Sequence, residues 1–257
     1  MNPTFRLGGE LEVRRLGFGA MRIVSDPDEG RRVLRRAVEL GVNLIDTADV
    51  YGAGRSEELI AEALHPYPDG LVIATKGGLG SGFQDRIRDA RPERLRRACE
   101  ESLRRLRLER IDLYQLHRHD PEVPIEDSVG VLEELRREGK IRLIGLSNVS
   151  TSQLRAAQSV ARIVSVQNEY SRGLLTSDEV LAACEAGGIA FLPWNPLGEG
   201  LGAPEDELRW LLARSEVILP IPGTSKVAHL EENVAAAQIE LSDDEFETLS
   251  KAGSANG

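Results

Sequence analysis

Side chains with chemical use stand at or just after the ends of several short apolar stretches of this chain. The stretch Leu44–Ile45 is followed at once by Asp46, Tyr51 comes five residues later, and similar stretches end at Lys76 and His117. Because the carboxyl ends of parallel strands meet on one side of a sheet, we expect these side chains to lie together. A carboxylate, a phenol, an ammonium and an imidazole in one place can transfer a proton and stabilise negative charge on oxygen.

The phenol of Tyr51 is the candidate proton donor in this group. Its unperturbed pKa is about 10, so the group acts as an acid near neutral pH only if that pKa falls. The Lys76 ammonium can lower it, since one charge at about 4 Å and an effective dielectric of about 20 is worth roughly 4 kcal/mol, or about three pK units. Asp46 would keep Lys76 charged, and His117 would orient a substrate carbonyl. Taken singly, Asp46 could be a loop cap and Tyr51 a surface residue.

A metal site is the alternative for the histidines. His117 and His119 alternate along one predicted strand and could ligate a metal together. His119, however, precedes Asp120–Pro121, where a loop begins. We therefore expect no metal here.

The elements that carry these residues alternate between strand and helix along the chain. The predicted strands are Leu16–Met21, Val42–Asp46, Leu71–Lys76, Ile111–His117, Ile141–Ser147, Ile163–Asn168, Ile189–Pro193 and Val217–Ile221. Helices are predicted to start at Pro27 and Pro92 and to cover Ser56–Leu64, Ile125–Glu138, Thr151–Val160, Ser177–Glu185, Glu205–Arg214 and Val227–Ala237. Strands joined by helical crossovers pair in parallel, so this α/β pattern predicts a (β/α)8 TIM barrel.

Two features modify the barrel pattern. A β-hairpin with strands Phe5–Leu7 and Leu11–Val13 is predicted within residues 1–15, because the intervening Gly-Gly pair accepts positive φ. The crossover between strands seven and eight holds only the loop Pro196–Pro204 and one short helix, so we expect it to be shortened. A doubly wound open sheet is the alternative fold, but GFGAMR lacks the third glycine of its fingerprint.

Composition limits the class of protein. The 257 residues, 41% of them hydrophobic, suffice for one domain over 1–257. A net charge of -10 argues against binding to nucleic acid or an anionic membrane surface, since both need a basic face. The two cysteines suggest neither a disulfide framework nor a zinc site, and no signal peptide or long apolar run appears. These features predict a soluble, cytoplasmic and monomeric protein.

The chain resembles the aldo-keto reductase superfamily in motifs that span nearly its whole length. They are, in order, NLIDTADVYG, LVIATK, IDLYQLH, GLSN, VQNEY, PLG and IPGTSK followed by HLEEN. Segments such as ALHPYPD and IPGTSKVAHLEEN are most similar to the bacterial pyridoxal-reductase-like branch. The resemblance implies a barrel that reduces carbonyls with NADPH, NADH being the less favoured cofactor. The family's catalytic tetrad matches Asp46, Tyr51, Lys76 and His117, with Tyr51 as the acid, and pyridoxal or a similar small aldehyde is a candidate substrate.

The same resemblance implies the cofactor site. The nicotinamide carboxamide would be bound by Ser147, Asn148 and Gln167, and Trp194 would stack on the ring. A buried structural role is the alternative for the two amides. Ser147 and Asn148 could instead cap the next helix. The phosphates would lie at the start of the last predicted helix. Because Gly223 and His229 replace a lysine and an arginine of many relatives, Ser225, Lys226 and His229 would contact the 2′-phosphate. The remaining predicted contacts are Gly19, Met21, Pro196, Leu197, Gly198, Ile221, Gly223, Thr224, Glu232 and Asn233.

Other functions are open at this point. A nucleotide-binding sensor or regulatory subunit with little turnover is one alternative, against which the complete tetrad argues. A barrel enzyme for sugar phosphates is another, but it leaves Tyr51 and Lys76 unexplained. Arg86 and Arg88, in the glycine-rich loop between Gly77 and Ala90, could meet an anionic substrate or simply be solvated.

Overall fold

A hairpin precedes the barrel in the computed structural model of the chain, which describes residues 3–80, 88–198 and 202–254. Strands β1 (Thr4–Leu7) and β2 (Leu11–Arg14) pair antiparallel. Gly8 and Gly9 connect them with φ of 58° and 73°, which is the left-handed backbone that a two-residue turn requires. Leu7 and Val13 are fully buried in the cluster of side chains that fills the barrel interior, so the hairpin covers one end of the barrel.

Seven parallel strands make up the sheet in the described part of the chain, and each pairs with the next in sequence order. The core has two parts. Side chains on the inner face of the sheet fill the barrel interior, and side chains on its outer face pack against the surrounding helices. The strands are β3 (Phe18–Gly19), β4 (Leu44–Asp46), β5 (Val72–Gly77), β6 (Ile111–Leu116), β7 (Ile141–Ser147), β8 (Ile163–Gln167) and β9 (Ala190–Phe191).

An eighth segment, residues 217–222, closes the sheet without being a regular strand. Leu219 N–H donates to the Phe191 carbonyl at 2.8 Å, and a parallel bridge joins Phe191 to Ile218. On the other side, Gly17 N–H donates to the Pro220 carbonyl at 3.0 Å. The strand predicted at Val217–Ile221 lies here, but prolines without N–H groups interrupt its hydrogen-bond ladder. The chain therefore forms a (β/α)8 barrel.

The first predicted strand, Leu16–Met21, is too long. The structure keeps only β3 and continues as a 3-10 helix over Ala20–Ser25. The Ala20 carbonyl accepts a hydrogen bond from Ser56 Oγ at 2.9 Å instead of continuing the sheet, and Ile23 turns inward and is fully buried. An apolar run alone could not distinguish these two outcomes.

The helices surround the sheet, and one of them was missed by the sequence analysis. In the described residues they are α1 (Pro27–Glu39), α2 (Arg55–Leu64), α3 (Pro92–Leu106), α4 (Ile125–Arg137), α5 (Thr151–Gln158), α6 (Asp178–Gly187), α7 (Pro204–Arg214), α8 (Val227–Ala236) and α9 (Asp243–Ser254). The missed helix, α9, stacks Phe246 on Trp210 at a centroid distance of 6.0 Å and accepts the indole N–H at Ser250 Oγ. No helix of the described residues has the length and apolar character to cross a membrane.

The backbone approach that closes the barrel at Gly19 gives a stability prediction. A Cβ at this position would lie 2.7 Å from the Ile221 carbonyl oxygen, which is backbone and has little freedom to move. We expect Gly19→Ala to lower the free energy of unfolding by about 1–3 kcal/mol in urea titrations. The matched control is Gly130→Ala in α4, where the added methyl meets nothing within 4 Å. That variant should gain about 0.5–1 kcal/mol, and an equal effect of both substitutions would contradict the steric explanation.

Candidate active site

The four predicted catalytic side chains meet at the carboxyl ends of three neighbouring strands. Asp46 is the last residue of β4, Lys76 lies near the end of β5, and His117 follows β6 directly. Tyr51 lies in the turn between β4 and α2, where its N–H donates to the Ala48 carbonyl at 3.2 Å. The apolar strands thus deliver the polar groups to one end of the barrel.

The Lys76 ammonium is the centre of the hydrogen bonds in this group. It is fully buried and donates to Asp46 Oδ1 at 2.5 Å, to the Thr47 carbonyl at 2.9 Å and to the Tyr51 hydroxyl at 3.4 Å. The second carboxylate oxygen of Asp46 accepts from Gln115 Nε2 at 3.0 Å and from Gln167 Nε2 at 2.9 Å. Both oxygens of the buried carboxylate are therefore satisfied.

The environment sets the charges of the lysine and the histidine. Burial by itself lowers the pKa of Lys76, but the Asp46 carboxylate and Tyr51 outweigh it and the pKa is raised, so the ammonium stays charged. Burial holds the pKa of His117 well below its usual value, and the positive charges of Lys76 and Arg118 lower it further. The imidazole is therefore neutral at physiological pH, and it meets the Tyr51 ring edge-on at a centroid distance of 5.8 Å.

A cavity of about 650 Å³ opens over this group. Asp46, Tyr51 and His117 reach its wall, and Lys76 lies behind them. The predicted cofactor residues that also line it are Gly19, Met21, Ser147, Asn148, Gln167, Trp194, Pro196, Leu197, Gly198, Ile221 and Gly223.

The polar residues predicted to hold a nicotinamide are already hydrogen-bonded to one another. Asn148, whose backbone has φ of 56°, donates to Ser147 Oγ at 2.8 Å and accepts from Trp194 Nε1 at 3.0 Å. The Gln167 amide nitrogen donates to Asp46, which leaves its oxygen as the remaining acceptor of a side chain that lines the cavity. These bonds fix the orientation of the amides and of the indole.

The residues predicted around α8 lie apart from the cavity wall. Gly223 is part of that wall, whereas Thr224, Ser225, Lys226, His229, Glu232 and Asn233 are not. Thr224 Oγ1 accepts from Lys226 N–H at 3.0 Å just before the helix begins. The first helical N–H, that of Val227, already points to a Glu29 carboxylate oxygen at 3.5 Å. The structure therefore assembles the predicted catalytic and nicotinamide residues at one cavity, with Lys76 behind its wall, and leaves most of the residues predicted to bind phosphate outside it.

Several residues of the site were missed by the sequence analysis. Gln115 is fully buried and donates a hydrogen bond to Asp46. It lies two residues before His117, and this spacing could have revealed it, because alternate residues of a strand share a face. Arg118 follows His117 but carries no motif signal. The other cavity-lining residues outside the prediction are Ala20, Arg22, Leu79, Glu169, Asn195 and Pro222. Of the two loop arginines named above, Arg88 is exposed and Arg86 lies outside the described residues.

A parallel barrel with a buried ammonium behind a phenol at its mouth is the site of an enzyme. The family model described as Aldo/keto reductase family matches residues 15–207 and 206–253. The chain therefore belongs to the aldo/keto reductase family and is an oxidoreductase, as the resemblance in its motifs predicted.

Individual relatives agree with this assignment. The chain is 44% identical over 271 residues to an oxidoreductase of Schizosaccharomyces pombe, covering 95% of this chain and 88% of the relative. It is 41% identical over 277 residues to pyridoxine 4-dehydrogenase of Escherichia coli, covering 96% of each chain. The crystal structure of an aldo-keto reductase from Klebsiella pneumoniae in complex with NADPH matches with a TM-score of 0.85 and 26% identity, covering 98% of this chain and 95% of that chain.

A second buried carboxylate lies on the outer side of β5. Asp49 N–H donates to the Lys76 carbonyl at 3.1 Å, and one carboxylate oxygen of Asp49 is buried without a hydrogen-bond partner in the described structure. Burial raises the pKa of Asp49 to about 7, and the Glu57 carboxylate adds to this rise, although Arg94 at 3.8 Å opposes it. Asp49 thus takes up a proton more readily in the folded state than in the unfolded chain.

This raised pKa predicts a pH-dependent loss of stability. An acid whose folded pKa lies above its unfolded pKa stabilises the fold fully below the unfolded value, about 3.9, and this contribution is lost as pH rises to about 7. We expect Asp49→Asn to remove this loss, so the unfolding free energy of the variant should improve relative to wild type by on the order of 2 kcal/mol between pH 5 and 8. Urea titrations at both pH values check this, with exposed Asp69→Asn as the control. A difference in unfolding free energy between variant and wild type that is the same at pH 5 and pH 8 would disprove this explanation.

Proposed function

We propose that this protein reduces a small aldehyde or ketone to the alcohol with NADPH, with Tyr51 as the proton donor. The observation that carries the proposal is the buried Lys76 ammonium, which donates to both Asp46 and the Tyr51 hydroxyl at the wall of the cavity. A bound NADPH supplies the hydride that reduces the carbonyl carbon and becomes NADP+. The proton for the carbonyl oxygen comes from the Tyr51 phenol.

The residues of the chain have separate tasks in this reaction. When Tyr51 releases its proton, the phenolate oxygen remains beside the Lys76 ammonium, which stabilises the negative charge. The neutral His117 imidazole keeps one N–H and can donate it to the carbonyl oxygen without delivering a proton itself. Asp46 holds Lys76 in place and charged.

The residues present fit the nicotinamide end of the cofactor. Gln167 keeps an acceptor oxygen, Ser147 lies beside it on the wall, and both complement the amide of a carboxamide. Trp194, held by Asn148, offers a flat apolar face for the ring. Support also comes from the Klebsiella pneumoniae relative in complex with NADPH.

The preference for NADPH over NADH rests on the start of α8. Ser225, Lys226 and His229 are proposed to contact the 2′-phosphate, and Lys226 and His229 are exposed there. Glu232 and Asn233 would lie at the adenine. The crossover after β9, with α7 as its described helix, is proposed to be shorter than is usual in the family and to leave the pyrophosphate less covered.

A pyridoxal-type aldehyde is the proposed candidate for the substrate. The support is the relative named pyridoxine 4-dehydrogenase, which is 41% identical. That the protein is a single domain, monomeric and cytoplasmic remains a prediction from its composition.

Removal of one hydroxyl tests the proton donor. Tyr51→Phe should lower kcat for the reduction of pyridoxal or a benzaldehyde at least about a hundredfold, because the general acid is lost while the ring remains. The loss of NADPH absorbance measures turnover, and quenching of protein fluorescence shows whether NADPH still binds. Tyr67→Phe, whose hydroxyl bonds to the Leu106 carbonyl outside the cavity, is the matched control and should retain turnover. Full activity of Tyr51→Phe, or a wild type that binds NADPH and reduces no carbonyl, would refute the proposal, and the second outcome would favour a sensor.

Removal of one charge at α8 tests the cofactor preference. Lys226→Ala should weaken NADPH binding by about three- to tenfold and leave NADH binding nearly unchanged, because only NADPH carries the 2′-phosphate. Fluorescence titration with each dinucleotide measures both constants. Lys251→Ala in α9 removes an exposed lysine paired with Glu247 and serves as the control. Equal losses for the two dinucleotides would contradict the assignment.

A further inference from the structure

Arg118 is a cation at the cavity wall that has no partner among the described residues. It follows His117 directly after β6, is half-buried, and lines the cavity beside Tyr51. Within the described residues its guanidinium makes no hydrogen bond and no ion pair. The chain has 42 acidic residues against 32 lysines and arginines, so carboxylates to pair with it are plentiful. An unpaired guanidinium at this position is therefore available to a ligand.

Other arginines of the chain show the contrast. Arg105 is bonded to the buried Glu57 at 2.6 Å, and Arg172 is bonded to Glu207, also at 2.6 Å. Two carboxylates of the described residues line the cavity with Arg118, and both have other partners. Asp46 is bonded to Lys76, and Glu169 accepts from Asn195 Nδ2 at 3.2 Å. The partly desolvated Arg118 thus keeps its donors for a ligand.

The order of the barrel places Arg118 on the substrate side of the cavity. The strand end that carries it, β6, is fourth of eight segments and lies across the barrel from residues 217–222. The proposed nicotinamide residues come from β7, β8 and the end of β9. Arg22, by contrast, follows β3, which is the neighbour of the closing segment. Arg118 therefore lies at the strand end that also carries His117, across the barrel from the proposed phosphate end.

The positive charge of Arg118 also acts on the reacting groups. It contributes to the lowered pKa of His117, so its field reaches the imidazole. A guanidinium presents parallel N–H donors that match the oxygens of a carboxylate or a phosphate.

We propose that Arg118 makes this enzyme select carbonyl substrates that carry an anionic group, a carboxylate or a phosphate, near the reacting carbonyl. The inference rests on the proposed carbonyl reduction and specifies its substrate class. The anionic group binds and does not react, since hydride and proton go to the carbonyl carbon and oxygen as described above.

Matched substrate pairs test the inference. One pair is 4-carboxybenzaldehyde and its methyl ester, and the other is glyceraldehyde 3-phosphate and glyceraldehyde, so that carboxylate and phosphate are compared separately. For at least one pair, wild type should favour the anionic member by at least about tenfold in kcat/KM, because a charge-assisted, partly desolvated pair is worth about one pK unit or more. The preference should shrink as salt concentration rises.

Substitutions of Arg118 test whether this residue causes the preference for anionic substrates. Arg118→Gln should abolish the anionic-to-neutral ratio, and Arg118→Lys should restore part of it. Arg22→Gln removes a second positive charge from the same cavity and should keep the ratio, which distinguishes a local contact from the general field. NADPH titration of each variant checks that it is folded and loaded with cofactor.

Failure of this inference can be distinguished from failure of the proposed function. Turnover of neutral aldehydes without preference for the anionic member, retention of the ratio in Arg118→Gln, or an equal loss in Arg22→Gln overturns this inference alone. A wild type that reduces no carbonyl in any pair overturns the proposed function together with it.

Discussion

The rest of the site depends on one ion pair, that of Lys76 and Asp46 inside the barrel. Lys76 is fully buried and Asp46 is nearly so, so each charge is tolerated because the other is present and because hydrogen bonds satisfy the remaining positions. Loss of one partner from such a pair costs about 3–5 kcal/mol, since the other is left buried and uncompensated. The barrel therefore needs the pair for its stability as well as for its chemistry, which places the ammonium next to the Tyr51 hydroxyl at no further cost in desolvation.

The hydrogen bonds of Asp46 connect the catalytic group to the cofactor side of the cavity. Gln167, on β8, donates to the same carboxylate that holds Lys76, and its free oxygen is proposed to meet the nicotinamide. Asn148 donates to the carbonyl of His117 at 3.3 Å and holds the Trp194 indole. Because the amides and the carboxylate share one network, displacement of the proposed cofactor ring is expected to shift the proposed proton donor. In the proposed reaction, binding and proton transfer are therefore linked through a few hydrogen-bonded side chains.

The positions of polar side chains at the ends of apolar strands were predictable from the sequence. Asp46, Lys76 and His117 stand at the ends of such strands. The alternation of strands with helical crossovers predicted both their common location and the barrel, and the structure has both. The sequence analysis was wrong where tertiary contacts override a local pattern. The strand over Leu16–Met21 stops at Gly19, since Ser56 takes the next carbonyl. The eighth predicted strand is interrupted at Pro220. The helix α9 has few apolar residues and is stabilised by the stacking of Phe246 on Trp210.

Local residue types and spacing were sufficient to predict the alternation of elements, the family and the four side chains proposed to react. Only the tertiary structure decided which polar groups share the cavity. It placed Gln115 against Asp46 and left Arg118 at the wall with no partner in the described part of the chain, whereas the predicted residues of α8 lie outside the cavity. The physical reason is that pairing and burial depend on neighbours distant in sequence. Whether a charge is neutralised or available is settled only when the strands are brought side by side.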